Sequence, residues 1–187
     1  MNYNNVQYEK MDYSSDALAK GEYENCTFID CDFSNSDISG LTFIDCKFDY
    51  CNLSLAKVKN TSFKGAKFKN CKLLGIMFGD VSSFLLALDF EGCLLNLASF
   101  YKLRLRGTNF KKCSLVEADF SGADLTAAKF DNCDLGRAVF ASTILEKSDL
   151  TSSYNYSIDP EGNRVKKARF SYPGVLGLLD RFNIEIE

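Results

Sequence analysis

Large apolar side chains recur at every fifth position from Leu18 through Tyr23, Phe28, Phe33 and Ile38 to Phe78, and again from Leu85 through Phe90, Leu95 and Phe100 to Leu150. The step from Phe78 to Leu85 is seven residues, so two residues are inserted around Gly79–Phe84 and the register shifts once. A period of five fits neither the 3.6 of a helix nor the 2.0 of a strand, and the backbone must therefore turn once per repeat. Two positions before each large centre the residue is usually small, as at Cys26, Ser36, Ala56, Thr61, Ala98 and Ala128. All eight cysteines occupy this one slot.

The repeat unit is a small residue, then Asp or Asn, then Leu or Phe, then two variable positions, as in Ala118-Asp119-Phe120-Ser121-Gly122 and Ala123-Asp124-Leu125-Thr126-Ala127. Over about residues 18–152 it resembles the pentapeptide-repeat family. That resemblance implies an all-β fold, a right-handed quadrilateral β-helix in which each pentapeptide forms one side and four complete a coil. The small residue and the central one then both point inward. Residues twenty apart should stack at the strand spacing of about 4.8 Å. Phe90, Phe110 and Phe130 then form one column, Phe100, Phe120 and Phe140 the opposite one, and leucines fill the other two sides. Cys31, Cys51 and Cys71, like Cys93, Cys113 and Cys133, become small apolar groups in the core. Outside, Asp37 meets Lys57, Asp49 meets Lys69, Arg104 meets Asp124, and Glu91, Lys111 and Asp131 share a column. Leu41, Ile76, Leu88 and Leu103 are bulky occupants of the small slot that the core must accommodate.

Both ends of such a rod need covering. Residues 1–17 continue the period backwards through Tyr13, Tyr8 and Tyr3, with Met11 and Val6 in the inward small slot, and are expected to form a capping coil. In residues 153–187 the pattern fails at Asn155, a turn-rich loop follows at Ile158–Asn163, and Ala168-Arg169-Phe170 reads as a last repeat. Pro173 suits the first turn of a short C-terminal α-helix, and Asn183 suits its stop. Val175, Leu178, Leu179 and Phe182 lie at helical spacing, and Ile184 and Ile186 extend that apolar face as a short strand. A helix so short must dock on something, either its own solenoid or a second copy. This segment and the Leu74-Gly75-Ile76 interruption resemble the Qnr-type and mycobacterial fluoroquinolone-resistance members of the family, which implies a homodimer through the C-terminal segment.

The chemistry available narrows the function. With no histidine, neither a Ser-His-Asp nor a Cys-His nucleophile nor a histidine-based metal site can be built. The cysteines are five or twenty apart rather than paired as C-x-x-C, and isolated glycines such as Gly65, Gly92 and Gly107 fall at corners. No catalytic residue, metal or cofactor is expected, and the protein is expected not to be an enzyme. No run is long and apolar enough to span a membrane and the first residues do not form a signal peptide, so the expected location is the cytoplasm. The net charge of −3 argues against direct nucleic-acid binding, yet it is unevenly distributed. Residues 1–55 carry −7, residues 56–112 carry +8, and residues 113–150 carry −4. The family resemblance implies a DNA mimic that binds DNA gyrase or topoisomerase IV and modulates it or protects it from quinolones, with Asp119, Asp124, Asp131 and Asp134 as the acidic surface. The basic middle is wrong for a mimic along the whole rod. A generic protein-interaction scaffold with an unrelated partner is the alternative.

Overall fold

Once per pentapeptide the backbone enters the left-handed region, with φ between about +50° and +73°, at Asn25, Asp30, Asn35, Gly40, Asp45 and onwards. Only Gly, Asn and Asp tolerate that conformation cheaply, which explains their frequency at the fifth position. Each such residue turns the corner, and four corners close a coil. The computed structural model describes residues 1–185, wound as a right-handed quadrilateral solenoid of parallel strands.

The strands are short. On the first side they are β2 (Gln7–Glu9), β4 (Thr27–Ile29), β6 (Lys47–Asp49), β8 (Ala66–Lys69), β9 (Leu88–Glu91), β10 (Asn109–Lys111) and β11 (Lys129–Asp131), stacked in that order in one seven-stranded sheet. On the fourth side β1 (Asn2–Asn4), β3 (Glu22–Glu24), β5 (Thr42–Ile44) and β7 (Ser62–Lys64) form a four-stranded sheet. The second side, centred on Leu53, Leu73 and Leu95, and the third, centred on Val58, Phe78 and Phe100, are held by single bridges such as Asn52↔Lys72 and Asp37↔Lys57. The twenty-residue register is seen in Phe28↔Phe48 and Phe110↔Phe130.

Inside, rings stack along the axis and meet edge to face across it. Phe100 lies on Phe120 with centroids 4.9 Å apart and planes 3° from parallel, whereas Phe110 and Phe120 meet at 85°. Both arrangements satisfy the ring quadrupole, so the aromatic interior gains more than area burial alone. Leu41, Ile76, Leu88 and Leu103 do point inward and are buried.

The small slot has a chemical preference as well as a size limit. The Cys46 thiol donates to the Tyr23 carbonyl at 3.2 Å, and the Cys133 thiol to the Phe110 carbonyl at 3.3 Å, in each case twenty-three residues back in the preceding coil. Thr61, Thr143 and Ser153 place hydroxyls in the same position, donating to Ile38, Phe120 and Phe130 carbonyls. All eight cysteines are free and buried, and burial pushes the Cys46 thiol up to about 12.

The register break is confined to one side. Phe68 pairs with Phe90, and Met77 with Ser99, each twenty-two residues on. A 3-10 turn at Phe78–Asp80 precedes the excursion, and Ser82 N–H to Thr61 O and Ala87 N–H to Phe63 O bracket it. Leu85, expected as the inward centre that restarts the pattern, is instead 65% exposed with φ +55°. Leu86 packs against the core in its stead and Val81 is buried, because the two extra residues leave the wall as a bulge between fixed hydrogen bonds.

At the N-terminus residues 2–13 form a regular coil, with Tyr3 stacked on Tyr23, Tyr8 on Phe28 and Tyr13 on Phe33. Val6 and Met11, expected inward, are exposed because no further coil covers them. At the other end Tyr156 and Ile158 enter the core, and Arg164 and Arg169 bridge to Ile144 and Asp149. The expected α-helix is two 3-10 segments, Pro173–Leu178 and Asp180–Phe182. Gly174 and Gly177 sit so close to Tyr156 that a Cβ on either would collide with it, and Ile158 N–H donates to Gly177 O at 2.9 Å. Two glycines in six residues weaken α-helical winding, and docking fixes the tighter turn. Asn183, with φ +47°, ends the segment as expected. Ile184 is not in a strand, and Ile186 lies outside the described residues.

Candidate interaction surfaces

A carboxylate one position before an inward centre is pulled back onto its own corner. Asp119 accepts from Ser121 N–H at 2.9 Å, Asp124 from Thr126 N–H at 3.0 Å, and Asp134 from Gly136 N–H at 3.0 Å. These are Asx turns, and they leave the three side chains half-buried. Asp131 follows its centre instead, stands exposed, and accepts from Asn132 Nδ2 at 2.7 Å and Ser152 Oγ at 3.2 Å.

The four acids do not share a surface. Their backbone partners place Asp131 on the first side, Asp134 on the second, Asp119 on the third and Asp124 on the fourth. They ring one coil as a collar. Arg106 approaches Asp124 to 3.8 Å, and Asn155 Nδ2 donates to Asp134 at 2.9 Å, so the negative field is partly tied up locally.

Along the seven-stranded side, lysines and acids alternate around a shallow depression. Lys111 and Glu91 are 2.9 Å apart, and their hydrogen bond lowers the Glu91 carboxyl and raises the Lys111 ammonium relative to their ordinary values. Charge therefore varies along the rod more than around it.

The C-terminal segment has two faces. Leu178 packs against the core and Leu179 is half-buried, whereas Val175, Phe182 and Ile184 are exposed. Leu176, absent from the sequence-derived set, is exposed beside them. Arg181 clamps the segment by pairing with Asp159 and, at 3.2 Å, with Glu161. That guanidinium holds the Asp159 carboxyl below the usual carboxylate range.

Among the described residues no cluster of three or more His, Cys, Asp or Glu side chains is placed to hold a metal ion, and no helix is long and apolar enough to cross a membrane.

Family models for a pentapeptide repeat region and for pentapeptide repeats match residues 21–83 and 118–153. No curated protein gives a significant sequence match. Among solved structures, two trypsin-treated variants of QnrB1, a plasmid-mediated fluoroquinolone resistance protein, superpose on the whole chain. One has a TM-score of 0.72 at 19% identity and is covered over 92% of its length; the other has 0.67 at 20% and is covered over 100%. HetL, a pentapeptide repeat protein involved in heterocyst differentiation regulation from the cyanobacterium Nostoc, matches over 90% of this chain and 84% of its own at 19% identity, with a TM-score of 0.48.

Proposed function

Because this chain belongs to the pentapeptide-repeat family, we propose that it is a non-catalytic rod that binds a protein partner, and that the partner is a type II topoisomerase, DNA gyrase or topoisomerase IV. The observation that carries the binding role is that the thiols and the rings at the repeat centres are consumed by the stack, which leaves a rigid outer surface as the working part. The superposition of this chain on trypsin-treated QnrB1, a fluoroquinolone resistance protein, supports the choice of partner. A ring of carboxylates around one coil also suits a surface that receives duplex DNA, since a duplex is negative on every side. The coil holding Asp119, Asp124, Asp131 and Asp134 would imitate DNA, whereas the basic middle of the rod would not.

The test is supercoiling by purified gyrase, with and without quinolone, as this protein is titrated in. Neutralisation should use Asp→Asn at the four positions, since the amide oxygen still accepts the corner N–H at 119, 124 and 134 and the Ser152 hydroxyl at 131. Expected is inhibition or protection in the micromolar range that weakens with salt and falls about tenfold in the quadruple variant. A folded wild-type protein without effect on supercoiling, DNA binding or quinolone-induced cleavage excludes the topoisomerase and leaves the general binding role with another partner.

A homodimer through the C-terminal segment is part of the same reading. Val175, Leu176, Phe182 and Ile184 are exposed apolar side chains on a clamped, ordered segment, the arrangement a two-fold interface needs. Removing residues 173–187 should convert a dimer to a monomer by light scattering while far-ultraviolet circular dichroism persists. A monomeric full-length chain refutes the dimer.

A further inference from the structure

Leucine is the wrong residue for a corner. It gains nothing in the left-handed region, where its branched side chain is crowded, and it leaves apolar surface in water. Yet Leu55 and Leu97 hold φ of +58° and +61° while 60% exposed each. They stand on one edge, between the second and third sides, two coils apart. Leu55 N–H donates to Leu74 O, and Gly75 N–H to Asn96 O, which places Gly75 between them in the corner column. A Cβ on Gly75 would lie 2.8 Å from Leu55 Cδ2, so the glycine lets that leucine lie flat along the edge. Leu74 and Met77 flank the glycine on either side, exposed, and Leu94 adds to the second side. A contiguous apolar patch held at a backbone cost marks a binding surface.

The rim is mainly basic close to the patch. Lys57 and Lys72 lie beneath Met77 and Leu94, and Lys59 and Lys102 border the third side. Among the described residues none of the four makes an ion pair. Two acids adjoin this rim: Asp37 bridges to Lys57 on the third side, and Glu117, which follows Leu97 in the corner column, is already paired with Arg137. The neighbouring backbone N–H and C=O groups are used between coils, so an added strand has no edge to extend. A partner must bring its own satisfied backbone, and a helix does. A helix laid along the rod repeats every 5.4 Å against about 4.8 Å per coil, close enough for two turns to track Leu55, Gly75 and Leu97.

We infer that this edge, centred on Gly75, docks an amphipathic helix of a partner protein, its leucine-like stripe on the patch and its acidic flanks on the lysines. The site is separate from the C-terminal segment and lies on the same side as Asp119 of the acidic collar, which is the next bridge partner beyond Ser99.

The experiment uses full-length protein and a labelled amphipathic peptide of about 18 residues, long enough to be helical, with leucines at helical spacing flanked by glutamates. The comparison peptide carries lysines instead. Fluorescence anisotropy should show saturable micromolar binding of the acidic helix and binding at least about tenfold weaker for the basic one. The double variant Leu55→Asn, Leu97→Asn should weaken the acidic helix by at least about tenfold while its melting temperature stays equal or rises, because Asn suits the corner. No saturable binding, equal binding of both peptides, or unchanged affinity in the double variant overturns the proposal. So does a fall in melting temperature, which would make the leucines structural. Wild-type self-association that Leu74→Glu abolishes would show a second copy on the patch, and likewise overturns it.

Discussion

Phe68 stacks on Phe90 at 5.4 Å and 14°, although twenty-two residues separate them where neighbouring members of the column are twenty apart. The stack continues across the insertion because the extra chain leaves through a single side. Deleting Ser82 and Ser83 should therefore keep the solenoid intact and bring Leu85 over Phe63. Leu85 would then replace the partly buried Leu86 at the core, so the net transfer gain is below the whole-leucine value of about 1.5–3 kcal/mol and the melting temperature should hold or rise slightly. A loss of cooperative melting would show that the bulge is needed by the wall.

Stacked thiols that donate to carbonyls should resist labelling. A thiol reagent should modify almost none of the eight cysteines in the native protein and all of them in denaturant. Rapid native labelling of Cys51, Cys71, Cys113 or Cys133 would contradict the stacking.

Since hydroxyls already serve that slot at Thr61, Thr143 and Ser153, Cys133→Ser should cost less than about 1 kcal/mol. Cys133→Leu should cost about 1–3 kcal/mol by overpacking. Denaturant midpoints of the two variants decide the matter. Equal losses would mean that size alone rules the slot.

Acid sensitivity has a calculable sign. Serine hydroxyls at Ser14 and Ser39 lower the Asp12 and Asp37 carboxyls, and the Thr151 hydroxyl lowers that of Asp149. With folded values below unfolded ones, the unfolded chain takes up protons first. The contribution is complete above the unfolded value of about 3.9 and disappears as pH falls through the lower folded values. Melting temperature should stay flat between about pH 7 and 5 and fall below about 4, with Asp149→Ala reducing the fall. A decline that begins near neutrality would point to other groups.

Much of this was legible because inward positions obey one period with few exceptions, and the corner glycines Gly65, Gly92 and Gly107 do have positive φ. Leu85 was misplaced because counting cannot tell which side absorbs two residues, and adjacent Leu86 satisfies the core equally well. The C-terminal spacing could not separate α from 3-10 winding, a choice made by Gly174 and Gly177 against Tyr156. Outwardness of Asp119, Asp124, Asp131 and Asp134 was readable, but each step of about five residues rotates a quarter turn, so they could not share a side. Nothing in the repeat singles out Leu55 and Leu97, because they occupy positions the motif treats as free.

A wall closed laterally on itself leaves length as its one free dimension. Insertion or removal of a twenty-residue coil changes the separation between two surface features by about 4.8 Å and returns every side to the same orientation. The rod is in that sense a ruler with fixed graduations. The distance from the edge at Gly75 to the carboxylate collar is set by the number of coils between them, so lineages can retune spacing between two contacts without redesigning either.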